Sequence, residues 1–376
     1  MRPLNLHLPA LFAAAALMMS SPLAAEGTPT LIAEPSAKIL RKELAQGLYE
    51  LVYSPKKNAL FVASAGSRAD GGEQARIFRL NPETLETDAE IALPNRGFGL
   101  ALDEASDRLY VGDTFSATIT VIDTTANTVV GTVQLAEKVT DASGKKKFPH
   151  SFRELVVDPQ RNRLYAPGLA LDDSALYVID TAALKVEKVL PGFGAGATGV
   201  ALDAVNSQLY VSNLQGKLYT VDTNAVDIIA KVDTKGDQLL NLAFDAPGNR
   251  LFATDQGNDA ITKLRSEVLP DYKIKGAGHQ ILVLNADDGK TIRLLPTGAG
   301  PVAPLVDTER ARLYVTSRDD GSVSVFDTDT YALVTKINIP DYPNSLAIDH
   351  QNNVLFVTIK NDKENKNNES VVRIGF

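Results

Sequence analysis

The chain has 376 residues, 44% hydrophobic and 22% charged, with a formal net charge of −8. This is ordinary globular composition, enough for one large domain or two of usual size. The absence of cysteine excludes a disulfide, a thiolate metal site and a cysteine nucleophile. Overall acidity argues against binding nucleic acid or anionic lipid with the whole surface and leaves a local basic patch open.

In chain order, residues 1–25 read first as a secretory leader. Arg2 supplies a small positive start, "LPALFAAAALMM" (8–19) is too short to span a bilayer comfortably, and "SSPLAAEG" offers small residues for cleavage near Ala25. A linker is expected over 26–37. No later segment is apolar enough to span, so the expectation is a soluble, exported chain without membrane insertion. Loss of Arg2 takes its formal charge to −9.

From residue 38 onward one unit is written repeatedly. Its anchors are the aromatics of the "LY" or "LF" dipeptides: Phe61, Tyr110, Tyr165, Tyr210, Phe252, Tyr314 and Phe356. A propeller blade of four strands takes ~40–50 residues, the usual distance between these anchors. Each unit runs in the same order: a first strand such as "GLALDE", a turn, a second strand such as "RLYV", a third ending in "V-x-D-T", and a fourth. Asp123, Asp180, Asp222 and Asp327 of the third-strand motif are read as turn openers, not metal ligands. The fold class is therefore all-β: a seven-bladed β-propeller of four-stranded antiparallel blades over 38–376. The last unit lacks one strand, and "KILRKELAQ" (38–46) is expected to supply it, closing the ring and removing an open edge.

The motifs "RLYVTS", "GLALDE" and "V-x-D-T" resemble the YVTN family of β-propeller repeats. Residues 38–64, 151–165, 197–210 and 343–357 further resemble the periplasmic YncE-type propellers of Gram-negative bacteria. This resemblance implies a monomeric periplasmic propeller with no established catalytic activity, in a group with reported single-stranded DNA binding.

Four insertions exceed the minimal unit: 65–75, 136–152, 266–280 and 360–370. In an antiparallel blade all four open on one face, which makes that face the candidate working face. Segment 136–152 carries Lys138, Lys145, Lys146 and Lys147 with Phe148, His150 and Phe152, and Arg153 follows. Segment 263–275 carries Lys263, Arg265, Lys273 and Lys275 around Tyr272. Each segment is net +2. Cations interleaved with aromatics suit single-stranded nucleic acid, where phosphates pair and bases stack. The first strands begin at this face, so Tyr49, Phe98, Arg153, Thr198, Leu240, Val302 and Asn344 are expected around the mouth of the central channel.

No G-x-S-x-G elbow is present, and His150, His279 and His350 lack metal-cluster spacing. "DDGKT" (287–291) reads as a hairpin turn, not a phosphate loop. The expectation is a non-enzymatic binding protein with no cofactor, no metal and no catalytic residue. Its partner is single-stranded DNA or another polyanion. The alternatives are a metal-dependent lactonase-type hydrolase using Glu50 and Glu154, and a scaffold for an envelope protein.

Overall fold

The computed structural model describes residues 37–67, 71–141, 144–362 and 367–376. The expected leader and nearly all of the expected linker lie outside these residues. Among the described residues no helix is long and apolar enough to cross a membrane.

The chain forms seven antiparallel blades. In blade one, strand Leu48–Ser54 pairs with Ala59–Ser64, then Arg76–Leu80, then Thr87–Ala92. The same four-strand order recurs through the ring. Second and third strands are almost wholly buried, as in "RLYVGD" and "SVSVFD", because a blade is covered on both faces by its neighbours. Outer strands alternate, as in Lys185–Pro191 with half-buried and exposed residues in turn, since one face meets solvent. The anchor aromatics Phe61, Tyr165, Phe252 and Phe356 are fully buried between blades.

Turn chemistry repeats with the blades. One residue just before each second strand has positive φ: Asn58, Asp107, Asn162, Ser207, Asn249, Ala311 and Asn353. Asn and Asp tolerate this region best among side-chain-bearing residues, which explains their frequency there. On the third-strand turns, Asp123 accepts the backbone N–H groups of Thr125 and Ala126 at 2.8 and 2.9 Å. Asp180, Asp222 and Asp327 do the same. These donors hold all four carboxyls below the ordinary Asp range.

The ring closes as expected. Strand Lys38–Ala45 pairs antiparallel with Glu369–Gly375 and becomes the outer strand of blade seven. Glu369, 8% exposed, locks the junction. Its carboxylate accepts the Leu48 N–H at 2.6 Å and pairs with Lys360 at 3.1 Å. Arg41 adds an ion pair to Asp341 at 2.6 Å.

One element departs from the sequence reading. Asp259–Val268, which runs into the blade-five insertion from its N-terminal side, is a ten-residue helix, α1, capped by the Asn258 side chain on Ala260 and Ile261. Long helical periodicity was not expected beyond the leader. The helix is held by a charged residue and not by an apolar stripe: Arg265 is its one buried side chain. That guanidinium pairs with buried Asp237 at 2.5 Å, donates to the carbonyls of Leu214 and Asp237, and lies 4.3 Å from the Tyr272 ring centroid.

Candidate binding site at the channel mouth

Every first strand slips its register at the same place. In blade one the pairing jumps from Leu48–Ser64 to Leu51–Val62, leaving Tyr49 and Glu50 opposite a single residue. The jump recurs at Phe98–Gly99, Thr198–Gly199, Leu240–Asn241, Val302–Ala303 and Asn344–Ser345. In blade three the ladder breaks between Phe152 and Val156, freeing Arg153 and Glu154. A β-bulge re-aims side chains, and here it turns each blade's leading residues towards the channel.

Buried hydroxyls stitch the bulges together. Thr358 Oγ1 accepts the Ser345 N–H of its own blade at 3.1 Å and donates to the Tyr49 carbonyl of the next at 2.7 Å. Thr316 and Thr254 repeat this on Ala303 and Asn344, and on Asn241 and Val302. The bulges need close approach as well. A Cβ on Gly99 would lie 2.1 Å from the Arg153 carbonyl oxygen, so only glycine fits between blades two and three there.

The result is a cavity of about 390 Å³ lined by all seven residues expected at the mouth, with α1 contributing Ile261 and Leu264. Its chemistry is graded. Near the rim an aromatic ladder runs outward: Tyr49 to Phe98 at 4.2 Å between centroids, and Phe98 to the half-exposed Phe115 at 5.5 Å. Arg96 lies 5.9 Å from the Phe115 centroid and Lys360 4.0 Å from that of Tyr49. A second groove of about 690 Å³ opens beside Phe115, Arg96 and Asn95. Arg153 and Arg318 also line the mouth, and neither side chain makes an ion pair among the described residues. Arg318 donates to the Asn344 side-chain oxygen, while its Nε is buried without a partner.

Glu50 and Glu154 both lie in the channel wall. Glu50 Oε2 accepts the Leu100 N–H across the blade boundary at 2.5 Å. Burial, then the charge of Glu154, raises the Glu50 carboxyl well above the usual range. Burial pushes Glu154 up to about 7, against hydrogen bonds from Glu50 and Asn241 and the charge of Arg153.

No protein-family model matches the chain. Proteins named YncE do. The Salmonella typhi protein is 31% identical over 369 residues, covering 95% of this chain and 96% of the relative. The Escherichia coli K12 protein is 30% identical over 376 residues, covering 97% of each. The chain belongs to the YncE family. Those YncE relatives are themselves described as uncharacterized. Among solved structures, Kuenenia stuttgartiensis hydrazine synthase superposes with a TM-score of 0.69 at 14% identity, over 88% of this chain and 96% of that one. That likeness is one of fold alone.

In this YncE-family propeller the loop residues expected to bind nucleic acid divide into two groups. Lys145, Lys146 and Lys147 are exposed on a hairpin pairing Val139–Thr140 with Lys146–Lys147. Lys273 is exposed as well. Phe152 must be corrected: it is 0% exposed, packed edge-on against Tyr177, and cannot present a face to a base. Phe148 is half-buried with Lys138 Nζ 5.3 Å from its ring centroid. Both His150 ring nitrogens are engaged, by the Tyr177 hydroxyl at 2.9 Å and the Asp173 carbonyl at 3.2 Å. Lys275 is neutralised by Asp233, and Arg265 by Asp237, so segment 263–275 is not the free basic loop its charge suggested.

Tyr49, Phe98, Arg153 and Asn344 do meet at the mouth. Sequence reasoning missed Phe115, Gln256 and Arg318, which sit in or next to turns between second and third strands. A signal existed for Arg318: "SRDDG" is a tight turn at the inner end of a buried strand, a place where a blade points into the channel.

Among the described residues, one group of three possible metal ligands occurs, Asp307, Glu309 and His350. They lie on the short-turn face, where Arg310 donates to the Asp307 carboxylate at 3.0 Å and to the His350 carbonyl at 2.6 Å.

Proposed function

We propose that this is a non-enzymatic binding propeller that takes single-stranded DNA or another polyanion across its loop-rich face, with the channel mouth at the centre of the footprint. The observation that carries this reading is the pair Arg153 and Arg318, which lack carboxylate partners, beside the ladder Tyr49–Phe98–Phe115. The exposed Lys145–Lys147 hairpin leads a phosphate backbone towards it. Phe115 replaces Phe152 as the stacking surface. The leader at 1–25 supports export to the periplasm, and an intact mass beginning near Ala25 or Glu26 in a periplasmic extract checks it.

Anisotropy titration of a labelled single-stranded oligonucleotide at three salt concentrations tests the reading. Binding should weaken with salt, with a slope of roughly −0.7 per phosphate contacted. Lys145→Ala, Lys146→Ala and Lys147→Ala together should lower affinity and slope. Phe115→Ala should lower affinity by ~1–3 kcal/mol per stacked base and leave the slope unchanged. A parent that does not bind at low salt, or two variants that match it, would sink the proposal.

The hydrolase alternative needs Glu50 and Glu154 both ionised around a divalent cation. Burial raises both carboxyls and disfavours that doubly ionised state, which favours the binding reading. Lactone turnover with added calcium, abolished by Glu50→Gln, would reverse the order.

A further inference from the structure

We propose that the channel cavity beneath the mouth is a binding site for a small zwitterion, a free amino acid or short peptide with an apolar side chain. Its carboxylate would lie on Arg153 and Arg318 and its ammonium on the Glu50–Glu154 pair and Gln256. This goes beyond the polyanion reading and does not depend on it. Arg153 and the inner aromatics are common to both sites.

Four observations carry it. The cavity of about 390 Å³ falls at the lower end of the range for small-ligand pockets and far below what a folded partner needs. Gln256 lines it at 5% exposure, and its Oε1 is buried with no hydrogen-bond partner. A buried acceptor left without a donor is costly, so a ligand donor is the natural partner. Arg318 presents a buried Nε that is also unpartnered. A guanidinium matches a carboxylate in geometry and charge. Finally, two carboxyls, Glu50 from blade one and Glu154 from blade three, line the same cavity as the two guanidinium groups.

The charge pattern is directional. Glu154 faces Glu50, Asn241 and Arg153; Arg318 faces Tyr49, Asp319, Arg153 and Glu369. An ammonium placed on the carboxyl pair favours its fully ionised form. Binding therefore releases the Glu154 proton to solvent, and affinity should rise as pH increases from 6 to 8 through the Glu154 value of about 7. Tyr49 and Phe98 flank the entry and offer an apolar side chain a surface.

The test is calorimetry on the purified protein with L-phenylalanine, Gly-Phe, N-acetyl-L-phenylalanine and phenethylamine. L-Phenylalanine separates a free amino acid from the wider charge spacing of Gly-Phe. One of these two should bind, with proton release visible as a heat that changes between phosphate and Tris buffers. The acetylated compound lacks the ammonium and phenethylamine lacks the carboxylate, and each should bind at least ~10-fold more weakly, as expected for one lost charged contact. Glu154→Gln should abolish the proton release. Lys145→Ala with Phe115→Ala should leave zwitterion affinity unchanged while weakening the oligonucleotide, which separates this site from the polyanion surface. The proposal is overturned if neither zwitterion binds at millimolar concentration, or if the acetylated compound or the bare amine binds as well as they do.

Discussion

Glu50 and Glu154 show how residue chemistry is set by position and not by type. Neither carries a sequence signal beyond following the leading residue of a first strand. The first-strand irregularities turn both into the channel wall, where burial raises both carboxyls above their usual range. The sign of the linkage follows. A carboxyl whose folded value is raised binds more protons folded than unfolded between its two values. Stability from this group is therefore highest near pH 4.5 and falls as pH rises towards 7 and above. Glu154→Gln keeps the acceptor for Glu50 and removes the penalty. It should stabilise the protein by about 1–2 kcal/mol at pH 8, after discounting for water in the channel, and leave it nearly unchanged at pH 4.5. Urea denaturation at the two pH values checks this, and equal shifts at both would mean that folding does not raise the Glu154 value. The buried threonines were legible in retrospect: "RLYVTS", "RLFATD" and "VLFVTI" place a hydroxyl at one fixed point of the second strand.

Helix α1 is the element that sequence reading passed over, for a physical reason. Amphipathic periodicity reports helices that bury an apolar stripe. This one buries Arg265, and leaves Leu264 42% and Val268 39% exposed. Its cohesion comes from a buried ion pair to Asp237, which also accepts from the Tyr272 hydroxyl and the Lys275 N–H, both at 2.9 Å. Removing one partner of such a pair strands a charge and costs about 3–5 kcal/mol. Arg265→Met should release the insertion locally, since the blades do not depend on it. Hydrogen exchange should then quicken across 256–279 while strands Leu239–Asp245 and Arg250–Asp255 keep their protection. Unchanged exchange in the insertion would show that the apolar contacts of the helix, and not Arg265, hold it over the mouth. The insertions themselves were visible as excess length. Which of their lysines are free was not, because neutralisation by Asp233 depends on a strand 42 residues away.

At the scale of the whole molecule the ring is held by joining its two ends in one blade. Strand Lys38–Ala45 gives blade seven its outer edge, and Glu369 ties that blade to the first residue of blade one. Deleting 38–46 exposes the edge of Glu369–Gly375 and removes Arg41 from Asp341. The truncated protein should aggregate or lose several kcal/mol of the ~5–15 typical of a domain. Light scattering and a thermal melt would decide it, and a truncation that melts with the parent would place the closing contribution elsewhere. The architecture was legible from the sequence alone. A blade apolar on both faces is stable only between two neighbours, so seven copies and one missing strand imply a ring closed by its N-terminal segment. Turn aspartates and the seven residues at the mouth followed from the same repeat, because position within a blade sets which end of the channel a side chain meets. What the tertiary structure alone decided was partnership. Phe152 and Tyr49 look alike in sequence, yet one is sealed between blades and the other faces the channel. Arg265 and Arg153 carry the same charge, yet one forms a buried ion pair with Asp237 and the other forms none among the described residues. Burial and pairing are set by residues from other blades, and no local stretch of sequence contains them.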